Sequence, residues 1–81
     1  MSVPYTFPTY RRSANGQHFY RIASEVRFTE VQLIGGRVLV HEVTANTYPE
    51  RLRIAEMLAM VEGMWSDIPQ GEFEQALGRA V

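Results

Sequence analysis

The hydrophobic periodicity of the chain changes near residue 47, and this change restricts the possible folds more than any other feature. Residues 5–45 are rich in β-forming and aromatic residues arranged around two turn signals, whereas the residues from Thr47 onward repeat with helical spacing. Strands that come first and helices that come last are typical of an α+β domain. The order predicts a four-stranded antiparallel meander followed by two C-terminal helices packed on one sheet face, a ββββαα arrangement.

Asn15-Gly16 marks the first predicted hairpin, because this dipeptide suits the tight turns that join antiparallel strands. A two-residue loop at this point places Arg12 opposite Phe19 and Thr9 opposite Ile22. One face of the hairpin, which we expect to face the core, then carries Tyr5, Phe7, Tyr20 and Ile22. The other face carries Tyr10, Arg12, Phe19 and Arg21.

Gly35-Gly36 marks the second predicted hairpin, between the runs EVRFTEVQLI and RVLVHEV. A two-residue loop here places Leu33 opposite Val38 and Val31 opposite Val40, and these four β-formers are predicted to share a buried face. The other face holds Phe28, Gln32, Ile34, Arg37, Leu39, His41 and Val43. A bulge near residues 29–30 would exchange the faces of the first half of the third strand.

The first helix is predicted to begin at Thr47, which has the spacing of a capping box with Glu50, and to end near Gly63. Its apolar stripe consists of Leu52, Ile54, Met57, Leu58 and Val61. Residues 70–81 predict a second, weaker helix with an apolar face of Phe73, Leu77 and Ala80. Trp65 and Ile68, in the connection between the helices, are predicted to anchor it to the core.

Two short helices can cover one face of a four-stranded sheet and hardly both, so the second face is predicted to be open. That face would expose Tyr10, Phe19, Phe28, Ile34, Leu39 and Val43, which is more apolar surface than a soluble monomer usually leaves uncovered. The sequence therefore predicts a surface for a partner. Its residues are Tyr10, Arg12, Phe19, Arg21, Ile34, Arg37, Leu39 and His41.

The composition limits the class of protein. A chain of 81 residues supports one domain, residues 1–81, and the absence of cysteine excludes disulfides and thiolate metal sites. The first 25 residues contain no apolar run of the kind found in signal peptides, and no stretch is long enough for a membrane helix. We therefore expect a cytoplasmic protein that does not bind membranes. In style the second hairpin reads like a small bacterial or phage domain, although it contains no specific motif.

The sequence contains no recognisable catalytic, cofactor or metal motif. His41 and Glu42 are neighbours on a strand and point to opposite faces, and His18 follows a turn, so neither histidine predicts a catalytic or metal site. The predicted function is a non-catalytic protein-interaction module that self-associates, as a dimer, or binds another protein. The alternative is a weak single-stranded nucleic-acid binder that uses the Tyr10, Arg12, Phe19 and Arg21 face. A net charge of −1 disfavours the alternative, because nucleic-acid binders are usually basic.

Overall fold

A computed structural model describes residues 5–79. Within these residues the elements are β1 Thr9–Ser13, β2 His18–Ser24, β3 Arg27–Ile34, β4 Arg37–Thr44, α1 Tyr48–Ala59, β5 Trp65–Asp67 and α2 Gln70–Gly78. The strands form one antiparallel sheet in the order β4-β3-β2-β1-β5. The α+β class, the meander and the two helices are therefore confirmed. The fifth strand, which pairs with β1 on the side away from β2, was not predicted.

The structure confirms the predicted pairing within each hairpin. In the first hairpin Arg12 lies opposite Phe19, and in the second Val31 lies opposite Val40. Turn chemistry explains this agreement, since the loop between two adjacent strands determines which residues face one another. Each hairpin could thus be predicted by itself.

A bulge in β2 determines how the two hairpins are joined. Ser24 pairs with Arg27, but the next pair along the ladder is Ile22 with Phe28, so β2 contains one residue more than β3 between them. The extra residue is Ala23, which has no partner in the ladder. A bulge of this kind shifts the pairing of all residues beyond it by one position. The alternative of a bulge near residues 29–30 does not apply, since the ladders of β3 are regular there.

The shift changes which face of the first hairpin lies on the same side of the sheet as a given face of the second hairpin. A regular ladder continued from the turn would place Phe19 opposite Gln32, whereas the structure places Phe19 opposite Val31. A change of one position moves a whole strand face to the other side of the sheet. One side therefore carries Tyr10, Arg12, Phe19, Arg21, Val31, Leu33, Val38 and Val40, and the opposite side carries Tyr20, Ile22, Phe28, Ile34, Arg37, Leu39 and His41.

The two helices cover opposite faces of the sheet, so the prediction that both pack on one face is wrong. The α1-side cluster consists of Tyr20, Ile22, Phe28, Ala45, Ile54, Met57 and Leu58. The α2-side cluster consists of Phe19, Val31, Ile68, Phe73 and Ala76. Because Phe19 and Tyr20 are consecutive residues of one strand, their side chains point to opposite faces. The two clusters are therefore separate half-cores on either side of the sheet.

The unpredicted strand β5 explains how α2 reaches the far face. β5 pairs with the outer edge of β1. Trp65 at its start packs against the α1-side cluster, whereas Ile68 just after its end is buried in the α2-side cluster. The chain thus crosses the edge of the sheet within four residues. Both predicted anchors contact the core, but on different sides of it.

The first helix begins where the sequence predicted and ends earlier. Glu50 Oε1 accepts hydrogen bonds from the backbone nitrogen and the hydroxyl of Thr47, at 3.2 and 2.9 Å. Met60 adopts the left-handed conformation with φ 52°, which ends α1 at Ala59. Val61 consequently lies outside the helix, in a short 3₁₀ turn that closes at Gly63. In α2, Phe73 and Ala76 are buried, and Ala80 lies outside the described residues.

Candidate interaction site at the β4 edge

Three of the eight residues of the predicted interaction surface lie against α2 or its cluster. The side chain of Phe19 is only 9% exposed, and the ring of Tyr10 lies 5.5 Å from that of Phe73. Arg12 Nη1 forms an ion pair with Glu72 Oε2 at 2.7 Å. These three side chains therefore do not form an open platform on which bases could stack, as the nucleic-acid alternative requires. Of the four residues predicted on this face, Arg21 is the one that is exposed.

The other half of the predicted surface is exposed at the β3–β4 hairpin. Ile34, Arg37, Leu39 and His41 all lie on the α1 side of the sheet, and all four are exposed. Val40 is exposed on the α2 side to 42%. The hairpin therefore presents apolar side chains on both faces of the sheet, beyond the area that either helix covers.

The two edges of the sheet differ in length and in protection. β5, at one edge, has three residues. β4, at the other, has eight residues, of which six are exposed, and its ladder with β3 is unbroken from Arg27↔Thr44 to Ile34↔Arg37. Natural proteins usually protect a long edge strand with Lys, Pro or a bulge. β4 contains none of these three features, although Arg37 and Glu42 supply one charge of each sign.

Two backbone hydrogen bonds show which groups of β4 point away from the sheet. The N–H of Leu33 donates to the oxygen of Gln17 in the loop before β2, at 2.8 Å. Leu33 and its β4 partner Val38 therefore form a non-hydrogen-bonded pair, and the N–H of Val38 points outward. Inward-facing and outward-facing residues alternate along a strand, and the other end of β4 agrees with this, since the N–H of Ala45 donates inward to the backbone oxygen of Val26. The outward-facing backbone groups belong to Val38, Val40, Glu42 and Thr44.

A partly buried hydrogen-bonded pair of side chains next to this hairpin was not found by sequence reasoning. His18 Nδ1 lies 2.6 Å from Glu30 Oε2, and Glu30 is 9% exposed. The His18 ring stacks on Tyr20 at 6.3 Å, and burial raises the pKa of the Tyr20 phenol above its usual value of 10.0. The side chain of His18 therefore packs against Tyr20 and Glu30. The pairing could be foreseen only from the β2–β3 register, which brings these residues of two strands together.

The described residues offer little else from which to build a site. A groove of about 440 Å³ lies beside α1, with an apolar floor and two charged residues, and its lining consists of Tyr5, Glu25, Val26, Arg51, Ile54, Ala55 and Leu58. It lacks the several converging polar groups that orient a small molecule. Residues 5–79 contain no cluster of three His, Asp or Glu side chains arranged to bind a metal ion. The β4 edge is the stronger candidate.

Comparison with known proteins gave no match to a family model, a curated protein or a solved structure. Within residues 5–79, no helix is both long and apolar enough to cross a lipid bilayer. The geometry of the β4 edge is therefore the basis on which a function can be proposed.

Proposed function

We propose that this protein is a small non-catalytic interaction module that binds an extended strand of a partner protein along its β4 edge. The observation that carries the proposal is the combination of outward-facing backbone groups with exposed apolar side chains on both faces of the same strand. Addition of a strand to an open sheet edge is a common mode of peptide recognition. Hydrogen bonds to the backbone supply affinity, and the alternating side chains supply selectivity.

The side chains of β4 indicate what kind of strand fits. On the α2 side an added strand would meet Val38 and Val40, and on the α1 side it would meet Leu39. The charges lie towards the ends, with Arg37 at the start of β4 and Glu42 near its end. The edge therefore favours a strand that carries apolar residues on both faces at its centre and polar residues at its ends.

Selection from a displayed library of random peptides on the immobilised protein tests this proposal. We expect enrichment of extended peptides with a central apolar segment, whose affinity is then measured by fluorescence anisotropy. Val40→Pro removes one outward N–H at an edge position that tolerates proline, and should abolish binding. Val40→Thr keeps the N–H and a similar shape, so it serves as the matched control and should retain binding.

Two outcomes would contradict the proposal. Selected peptides that bind Val40→Pro as well as the wild type would show that the β4 edge is not the site. Tight, salt-sensitive binding of a labelled single-stranded oligonucleotide, with no peptide selected, would instead favour the nucleic-acid alternative. If Val40→Pro fails to fold, as judged by circular dichroism, Val40→Lys replaces it, because an edge lysine also opposes strand addition.

A further inference from the structure

We infer that the strand which fits the β4 edge is β4 of a second copy of this chain, paired antiparallel with the two Leu39 residues facing one another across a two-fold axis. The inference rests on the proposed function, since it uses the same edge and names its partner. It would join two sheets of five strands into one continuous sheet.

Symmetry and backbone geometry together limit the possible registers. The outward-facing residues Val38, Val40, Glu42 and Thr44 must form the hydrogen-bonded pairs, because their N–H and C=O groups are the ones directed away from β3. A two-fold axis perpendicular to the sheet also places the α1 sides of both copies on the same face of the joined sheet. Outward-facing residues alternate along β4 and must pair with outward-facing residues of the partner. This is possible only if the axis lies at the level of one residue, and not midway between two consecutive residues.

The apolar residues of β4 favour one of these axes. With the axis at Leu39, the two leucines meet on the α1 side, and each Val38 faces the partner's Val40 on the α2 side. Every central contact is then apolar. The least favourable pair of this register is Arg37 opposite His41, which lies outside the centre.

The neighbouring axes are less favourable. With the axis at Val40, Val38 would face Glu42 and Leu39 would face His41. With the axis at His41, Val40 would face Glu42. With the axis at Val38, Leu39 would face Arg37. Each of these arrangements sets an apolar side chain against a charged or polar one, which cross-strand pairs disfavour.

Pairing of two β4 strands about the Leu39 axis would also extend the α2-side cluster. Val38, like Leu33 and Leu77, packs against the margin of the α2-side cluster. Pairing Val38 with the partner's Val40 would continue this cluster across the interface and cover Val40, which is 42% exposed in the single chain. Contact between two strand edges buries less than the roughly 800 Å² per partner of a standard interface. The dimer should therefore dissociate on dilution.

The absence of cysteine in this chain allows the register to be tested directly. Leu39→Cys should form a disulfide-linked dimer under mild oxidation, since Cα atoms in a non-hydrogen-bonded pair are about 4.5 Å apart, within the disulfide range of about 4.4–6.8 Å. Val40→Cys and His41→Cys are the matched controls and should cross-link at least about tenfold more slowly. Analytical ultracentrifugation of the wild type should show a concentration-dependent dimer. Leu39→Glu should remain monomeric, because it places two like charges opposite one another.

The outcomes separate this inference from the proposed function. A wild type that stays monomeric at several hundred micromolar, while its peptide binding still depends on the Val40 amide, would overturn the dimer and leave the proposed function standing. Faster cross-linking through Val40→Cys or His41→Cys would overturn the Leu39 axis. If Leu39→Glu unfolds, the cysteine variants, each first shown to melt like the wild type when reduced, provide the decisive result.

Discussion

Arg11 of β1 donates a hydrogen bond from Nε to the backbone oxygen of Met57 in α1, at 3.1 Å. The same guanidinium donates to the oxygen of Leu58 at 3.1 Å and to Asp67 of β5 at 2.7 Å, and Arg11 is 4% exposed. Carbonyl groups in the last turn of a helix lack intrahelical partners and carry partial negative charge. α1 has no basic residue in its own last turn. Arg11 therefore supplies from the sheet the positive charge that stabilises this helix end.

Replacement of Arg11 should destabilise the fold more than replacement of its carboxylate partner. Arg11→Met removes the donor to the oxygen of Leu58 and leaves the oxygen of Met57 with the N–H of Met60 alone, and an unsatisfied buried carbonyl group costs about 1–3 kcal/mol. Asp67→Asn, the matched control, alters a side chain that is 70% exposed, and ion pairs with exposed partners contribute about 0–1 kcal/mol. Urea denaturation measures both values. Equal effects of the two changes would contradict a structural role for the Arg11 contacts to α1.

Leu58 and Leu52 allow the same substitution to be compared at a buried and an exposed position of one helix. Leu58 is 4% exposed in the α1-side cluster, whereas Leu52 is 44% exposed although the sequence pattern placed it in the apolar stripe. Leu58→Ala should lower the free energy of unfolding by about 2–5 kcal/mol, through lost burial and a residual cavity. Leu52→Ala should have an effect of about 0.5 kcal/mol or less. A calorimetric transition that is unchanged in Leu58→Ala would show that this face of α1 does not pack on the sheet.

The two glycines of the second turn should respond differently to substitution. Gly35 has φ 59°, and Gly36 does not belong to the residues with positive φ, so the turn is of the kind that requires glycine at its first central position. An added Cβ would meet no atom within 4 Å at either glycine, so the backbone conformation alone decides the outcome. Gly35→Ala should cost about 1–2 kcal/mol, the penalty of the left-handed region. Gly36→Ala should be close to neutral, and denaturant melts that rank the two in the opposite order would exclude this turn geometry.

Glu50 should make the stability of the fold depend on pH in the acidic range. Its hydrogen bond from Thr47, and those from the backbone of residues 46 and 47, lower the pKa of its carboxyl group below the usual value of 4.5. A lowered pKa in the folded state gives stability that is present above the unfolded pKa and is lost as the pH falls through the folded pKa. Melting temperature measured between pH 7 and pH 2 should therefore decrease less in Glu50→Gln than in the wild type. Parallel curves for the two proteins would rule out this contribution.

The pairing within each hairpin and the start of α1 could be predicted from sequence because their causes are local. Asn15-Gly16, Gly35-Gly36 and the pair Thr47 and Glu50 each act on residues a few positions away. The placement of Ile34, Leu39 and His41 on one face also follows from the second hairpin alone, since strict alternation and a short loop determine it. That half of the predicted surface is where the structure leaves side chains exposed.

Local sequence patterns were enough to predict four strands, two turns and two helices, whereas the side of the sheet on which each strand face and each helix lies depends on the tertiary fold. The bulge at Ala23 moves Phe19 from the face of Phe28 to the face of Val31. No turn or capping signal in the local sequence predicts this bulge. β5 has three residues and is a strand only because the free edge of β1 lies beside it. That pairing carries the chain around the sheet edge and places α2 over Tyr10 and Phe19. Turns and caps depend on neighbouring residues, whereas ladder register and helix side depend on contacts between residues far apart in the chain, which the local sequence pattern does not encode.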